Sequence, residues 1–295
     1  MKSITVFTPT FNRAHLLPRL YESLKNQTSK DFVWMIIDDG SVDDTKSLIA
    51  QWREEADFEI QYHYKENGGM HTAHNLAYSL TETELNVCID SDDAMTKDAI
   101  ELIVKLWESI DNKSNVAGII GLDVDREGKI IGTKIPEHLE KGSLHDLYHL
   151  HNVKGDKKLV LRTDVVRSYP PYPEYEGEKL VPLGILYLMI GKDYNLLYAN
   201  DVYCIVEYQD GGSTNSILKQ YKQSPRGFAY SRKLQIKHGD GISNEIKNYV
   251  HLISSSIFAK DIPLAFKGVN PLKSLFIYPF GILLHIYILL KIKSS

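Results

Sequence analysis

The sequence predicts an α/β fold: a mostly parallel sheet flanked by helices, followed by a helical C-terminal extension. Three observations carry that prediction. Short β-branched runs alternate with amphipathic stretches through the first third of the chain. Two of those runs end in acidic clusters, Asp38-Asp39 and Asp90-Ser91-Asp92-Asp93, and the pattern turns helical from Ser216 onward. Alternation at this spacing is what a parallel sheet with right-handed crossovers requires. Carboxylates delivered at a strand end stand in the crevice where open α/β sheets take their ligands.

Residues 4–8 open the pattern as a strand, 16–24 read as a helix, 32–37 as a strand, 45–52 as a helix, 60–64 as a strand, 73–80 as a helix and 85–89 as the fourth strand. A helix over 97–110 follows the acidic loop. Residues 116–121 and 129–133 then read as strands on either side of the turn signal Asp125 to Gly128. Residues 134–157, rich in Gly, His and Lys, are expected to be irregular, a long connection of the kind that carries substrate contacts. A short strand follows over 159–161. Pro170-Pro171-Tyr172-Pro173 sets a rigid extended segment, and Glu176-Gly177-Glu178-Lys179 opens a helix over 180–190. The division expected is a catalytic domain over 1–215 and a helical region over 216–295.

The last helix, 272–292, is apolar but interrupted by Pro279, Gly281 and His285 and flanked by Lys273, Lys291 and Lys293. A membrane span wants roughly 20 predominantly apolar residues. Three placements stay open: docking on the protein core, lying on a membrane surface, or crossing the bilayer.

Composition narrows the class. With 43% hydrophobic and 24% charged residues, the chain is an ordinary globular protein rather than a disordered, collagenous or coiled-coil one. Its two cysteines, Cys88 and Cys204, sit in apolar runs, which argues against a disulfide framework or a cysteine zinc site. The first apolar run starts at Ile4 without a basic, then apolar, leader pattern, so a cytoplasmic location is expected. The net charge of −4 divides into about +9 over residues 213–295 and about −13 before them. A basic tail serves an anionic membrane surface, nucleic acid or solubility alone, and the apolar 272–292 segment favours the membrane over nucleic acid.

Chemistry is concentrated where strands hand over to helices. Thr8-Pro9-Thr10-Phe11-Asn12-Arg13 follows the first strand, Asp38-Asp39-Gly40-Ser41 the second, Asn67-Gly68-Gly69 the third and Asp90-Ser91-Asp92-Asp93 the fourth, with Glu176 to Lys179 further on. Such loops surround a nucleotide with backbone N–H groups and short polar side chains. Clustered carboxylates at strand ends are hard oxygen donors suited to Mg²⁺ or Mn²⁺.

In these motifs, over roughly residues 3–215, the chain resembles a family 2 glycosyltransferase of the Rossmann-like GT-A fold, inverting and nucleotide-sugar dependent. The resemblance implies that Pro9, Thr10 and Phe11 line the base and ribose, that Asp39 accepts from a ring N–H of uracil, and hence that the donor is a UDP-sugar. It places Asp90, with Ser91, toward the ribose and the metal on Asp92, with Asp93 as ligand or orienter. Arg13 and His71 would add positive charge near the diphosphate, and Asn75 would hydrogen-bond the donor. In the family the position of Met70 is often Lys. The general base implied is Glu178, in a Glu-Lys pair where relatives carry Glu-Asp, with Glu176 as the alternative; a carboxylate there also serves a helix N-terminus.

Blander readings accompany several residues. Asp38 is expected to bond backbone in its turn, and Asp43-Asp44 to charge the next helix's first turn. His145, His149 and His151 lack a convincing fourth zinc ligand. Gly211-Gly212-Ser213 reads as a closing loop or a plain turn, and the aromatic segment 169–175 as packing before sugar stacking. The leading expectation is transfer of a sugar to a saccharide or lipid-linked acceptor in polysaccharide biosynthesis. A non-catalytic sugar-nucleotide sensor, a sugar nucleotidyltransferase and an aspartyl phosphotransferase are the alternatives. The nucleotidyltransferase would need a glycine-rich loop after strand one, and Thr8 to Arg13 has no glycine.

Overall fold

A computed structural model describes residues 2–207 and 217–293. In chain order the elements are β1 (Ile4–Thr10), α1 (Leu17–Lys25), β2 (Phe32–Asp38), α2 (Thr45–Glu55), β3 (Glu59–Tyr64), α3 (Met70–Leu80), β4 (Leu85–Cys88), β5 (Ala94–Met95), α4 (Ala99–Glu108) and β6 (Val116–Val124). Then come β7 (Lys141–Gly142), α5 (Leu144–His149), β8 (Lys157–Arg162), α6 (Thr163–Ser168), α7 (Gly184–Asp193), β9 (Asn195–Ile205), α8 (Ile217–Gln223), α9 (Pro225–His238), α10 (Ile242–Phe258), a 3₁₀ turn (Ile262–Ala265) and α11 (Pro271–Lys293).

The chain divides into two compact units, whose described parts are residues 2–171 with 190–207, and 172–189 with 217–293. The first is built on one mixed sheet in the order β3-β2-β1-β4-β8-β6-β9-β5, with β7 pairing on β9. Its leading half is parallel, as the alternation predicts: β1 lies between β2 and β4, and β3 flanks β2. β8 then enters antiparallel between β4 and β6, and β6 pairs parallel with β9. β1 and β2 are buried along their whole length, as strands covered on both faces must be. Helices α1 and α2 lay Leu17, Leu20, Tyr21, Leu24, Ile49 and Trp52 against them. There Tyr21 stacks on Trp52 at 4.4 Å.

Four differences from the sequence expectation have identifiable physical causes. Residues 129–133 form no strand, only a single bridge between Val124 and Ile130. The Asp125 carboxylate accepts from the N–H groups of Glu127 and Lys129 to close the turn. Gly132, at φ +76°, then turns the chain against the Lys154 carbonyl, where a Cβ would not fit. The helix expected over 180–190 starts at Gly184, because Pro182 keeps the residue before it out of helical geometry. The irregular stretch 134–157 contains α5, whose capping box joins Ser143 and Asp146. β9 was hidden by its polar centre: Asn200 exchanges two hydrogen bonds with the Ile135 backbone, standing in for a ladder partner.

Candidate active site

Parallel register fixes the site's frame. Thr10 pairs with Asp38, Asp38 with Tyr64, and Phe7 with Cys88, so the segments leaving β1 to β4 emerge along one sheet edge. They are stitched together by hydrogen bonds. Asn12, at φ +53°, donates its N–H to Ser41 Oγ at 2.8 Å and accepts the Val42 N–H at 2.8 Å. Asn tolerates that left-handed geometry better than most residues. Ala14 N–H reaches the Asp43 carboxylate at 3.0 Å. Pro9 and Thr10 are buried in β1, and Phe11 stands 45% exposed just past it.

Asp38 and Asp39 divide their labour. Asp38 accepts from the Ser41 N–H and the Tyr62 hydroxyl and shapes its own turn. Asp39 organises the next loop: one oxygen accepts from Lys65 Nζ at 2.6 Å and the Gly68 N–H at 2.9 Å, the other from the Gly69 N–H at 2.8 Å and Asn67 Nδ2 at 3.2 Å. Gly40, at φ +89°, sits where a Cβ would come within 2.8 Å of Asn67 N. The glycine allows this close approach. The loop delivers Gly69 as the N-cap of α3. Within α3, His71 and His74 are buried and Asn75 is half-buried. His74 shares a hydrogen bond with Tyr78 Oη at 3.0 Å.

The acidic loop after β4 is held from two directions. From the β1 side, Arg13 Nη1 donates to Ser91 Oγ at 3.2 Å and lies 3.3 Å from Asp92 Oδ1. From α1, Arg19 Nη1 donates to the Asp92 carbonyl at 2.9 Å and to Glu207 Oε2 at 2.6 Å. Ser91 and Asp93 are buried, while Asp90 and Asp92 are half-buried. Asp93 faces inward: it accepts the Glu207 N–H at 3.1 Å and the Cys204 thiol at 3.6 Å.

Beneath the loop lies a buried charge cluster that motif reading passed over. Lys158 Nζ, from β8, stands 3.9 Å from Asp93 Oδ2, and Asp123, from β6, is buried with one oxygen lacking a hydrogen-bond partner among the described residues. Burial alone would neutralise the ammonium, but the carboxylates of Asp123, Asp93 and Asp90 hold it charged and push its pKa up. Burial pushes Asp90 and Asp123 up and Asp93 to about 6, with Lys158 opposing in each case. Several buried carboxylates beside one ammonium do not all ionise. Lys158 and Asp123 lie in apolar strands, where only an alternation broken by a charge hinted at them. Arg19 looked like an ordinary helix-surface charge.

In the second unit, Glu178 is buried. Its two oxygens accept the N–H groups of Arg226 and Gly227 at 3.1 and 3.0 Å, in the first turn of α9, with Arg226 Nη1 at 3.5 Å. It thereby satisfies donors that a helix start leaves unpaired. Glu176, two residues before it, is exposed. The Gly211-Gly212-Ser213 segment lies outside the described residues.

The donor set can be tested against a divalent ion. Among the described residues no three His, Cys, Asp or Glu side chains gather that would hold a metal unaided. Asp93 spends its oxygens inside the protein, whereas among the described residues the half-buried Asp92 carboxylate pairs with Arg13 alone. Mg²⁺ and Mn²⁺ accept one or two carboxylates when phosphate oxygens and water complete the shell. The residues fit such a shared cation, not an all-protein cage.

Comparison with known proteins agrees with this frame. The solved structure of TarS from S. aureus in complex with UDP-GlcNAc superposes with a TM-score of 0.60 at 16% identity, covering 94% of this chain and 89% of that one. A mannosyltransferase from Pyrobaculum calidifontis, in complex with GDP-Man and Mn²⁺, gives 0.57 at 16% identity, covering 96% and 87%. The fold is therefore that of the GT-A glycosyltransferases. The poly(ribitol-phosphate) beta-N-acetylglucosaminyltransferase TarP of Staphylococcus aureus is 26% identical over 230 residues, 74% of this chain and 67% of TarP. Of several other relatives the chain spans only 17% to 18% of the length. The profile of Glycosyl transferase family 2 matches residues 5–163, more than half of the sequence, and the chain belongs to that family.

Proposed function

We propose that the protein transfers a sugar from a nucleotide-sugar, a UDP-sugar, to a hydroxyl of a saccharide or lipid-linked acceptor in polysaccharide biosynthesis, with inversion at the anomeric carbon. One observation carries this reading: the Arg13 guanidinium bridges the loop after β1 to Ser91 and Asp92 after β4, which sets a cation and a carboxylate together at the ligand-binding edge. A leaving nucleoside diphosphate needs both. Arg13 would meet its developing negative charge, and Asp92 would hold a divalent ion against it. The ion, when bound, supplies Lewis-acid stabilisation of the diphosphate. TarS and the Pyrobaculum enzyme were solved with UDP-GlcNAc and with GDP-Man and Mn²⁺, which supports a nucleotide-sugar donor without naming the sugar.

Pro9, Thr10, Phe11, Asp90, Ser91 and Asn75 are kept as the nucleotide wall. Asp39 touches the base in this reading only through lone pairs its loop contacts leave open, and its firmer role is to set the loop. Asp93 is assigned to orienting rather than ligating. An inverting displacement also needs a base for the acceptor hydroxyl. Glu178 is occupied by the start of α9, and this favours Glu176 for the proton, with Glu178 as anchor. The protein would work in the cytoplasm, at the inner face of the membrane.

Slow hydrolysis of UDP-sugars tests the core of the proposal. Purified protein with Mn²⁺ should release UDP, and Asp92→Ala should lower the rate by roughly 10²-fold or more. Undiminished release by that variant would remove Asp92 from the chemistry. Nucleotide binding without release by the wild type, under every acceptor tried, would favour the sensor alternative.

A further inference from the structure

Helix α11 is packed inside out. The residues it turns inward include Ser274, Gly281, His285 and Ile288. Ser274 is buried and donates to the Ala265 carbonyl at 2.7 Å. At Gly281 the two helices come so close that a Cβ would lie 2.4 Å from the Ile253 side chain of α10. The His285 ring sits 4.1 Å from that of Phe258. Lys273 pairs with Glu245 at 2.8 Å, so the contacts climb both helices in the same order and α10 and α11 run parallel. Small and polar residues at the seam are what a helix pair uses when its outer surface does not face water.

The outward face is the apolar one. Leu272, Phe276, Phe280, Leu283, Tyr287 and Leu290 recur every three or four residues along it, with Phe276 88% and Leu283 62% exposed. No charge interrupts the helix between Lys273 and Lys291. Single exposed apolar side chains need no explanation, but a continuous stripe marks a docking surface.

We infer that this stripe docks on an anionic lipid surface, with α11 lying in the plane of the membrane. Charge argues for the occupant: residues 213–295 carry twelve Lys/Arg against three Asp/Glu, and the exposed Lys267 follows Phe266, whose ring stacks 6.0 Å from that of Tyr278 on α11. An apolar face rimmed by lysines is the signature of an interfacial helix. Packing argues for the orientation. α10, which packs along α11, also carries Lys247 and the buried Asn248, to which Arg232 Nη1 of α9 donates at 3.1 Å. A crossing α11 would carry those groups into hydrocarbon. The inference rests on the location proposed above and on none of its chemistry.

Flotation with vesicles decides it. The purified full chain should float with vesicles of phosphatidylcholine containing one-third phosphatidylglycerol and float less with phosphatidylcholine alone. Phe276→Glu/Leu283→Glu, at exposed positions and checked for unchanged circular dichroism, should lose partitioning by roughly tenfold or more. Lys267→Glu/Lys273→Glu should weaken only the binding to anionic vesicles. Wild type that stays with the soluble fraction in both cases overturns the inference. So does a dimer in sedimentation that Phe276→Glu/Leu283→Glu dissolves, because a second copy would then cover the stripe. Resistance to carbonate extraction from cell membranes would overturn the in-plane placement. Each result leaves the UDP-release test untouched.

Discussion

At the scale of single residues, the site depends on charges that are balanced before any ligand arrives. Lys158 is the counter-ion of a carboxylate group that includes Asp93 and Asp123, and burying such carboxylates without it is costly. Lys158→Met should therefore destabilise the first unit by about 3 kcal/mol in urea unfolding, and Lys158→Met/Asp123→Asn should recover part of that loss. A single variant that melts like the wild type would show that the carboxylates are neutral without it. The division of the acidic residues follows the same logic. The sequence motifs put Asp90 to Asp93 in one loop, but they could not say which faced out. That is decided by the Glu207 N–H and the Cys204 thiol, which draw Asp93 inward, and by Arg13, which meets Asp92 at the edge.

At the scale of elements, the strand-to-helix handovers were legible because parallel crossovers impose a spacing, and each handover carries its own turn and cap residues. Glu178 was less legible. The pattern put it at the head of the helix that follows it, yet its carboxylate holds the start of α9, nearly fifty residues later in the chain. The two roles separate experimentally. Glu178→Gln should lower stability by about 1 kcal/mol, as loss of a helix-capping acceptor does. Glu176→Gln should lower the transfer rate by roughly 10²-fold or more while leaving the melting temperature unchanged. If instead Glu178→Gln abolishes turnover with its stability intact, the base is Glu178. β9 and the failed strand at 129–133 show the same limit: Asn200 and Gly132 act through partners distant in sequence, Ile135 and Lys154.

At the scale of the whole molecule, acid should loosen the fold. His74 in the first unit and His251 in the second are both held neutral, chiefly by burial, with pKa values lowered to about 3 and about 4. The unfolded chain takes up protons near the ordinary histidine pKa of 6.5, whereas the folded one does not, so stability is full above that value and falls as the pH drops through the window below it. For His74 the loss at pH 5 is about 2 kcal/mol. Asp93, raised to about 6, acts in the opposite sense between its ordinary value and 6 and offsets part of the loss. Melting curves at pH 7 and pH 5 should differ, and His74→Gln should shrink the difference. An unchanged pH response would mean that His74 is protonated in the folded state as it is in the unfolded one.

The sequence by itself determined the α/β class, the parallel first half of the sheet, the loops that converge on its edge and the family to which they belong. The class, the parallel half and the converging loops follow from local rules of periodicity, turn chemistry and the placing of polar residues at strand ends, whereas the family follows from the resemblance of its motifs. Only the tertiary structure decided which carboxylate faces out, that Lys158 and Arg19 support the acidic loop, that Glu178 caps α9, and that α11 turns its small residues inward and its large apolar ones outward. Each of these depends on a partner far along the chain, and neither periodicity nor composition records what a side chain meets once the elements have packed.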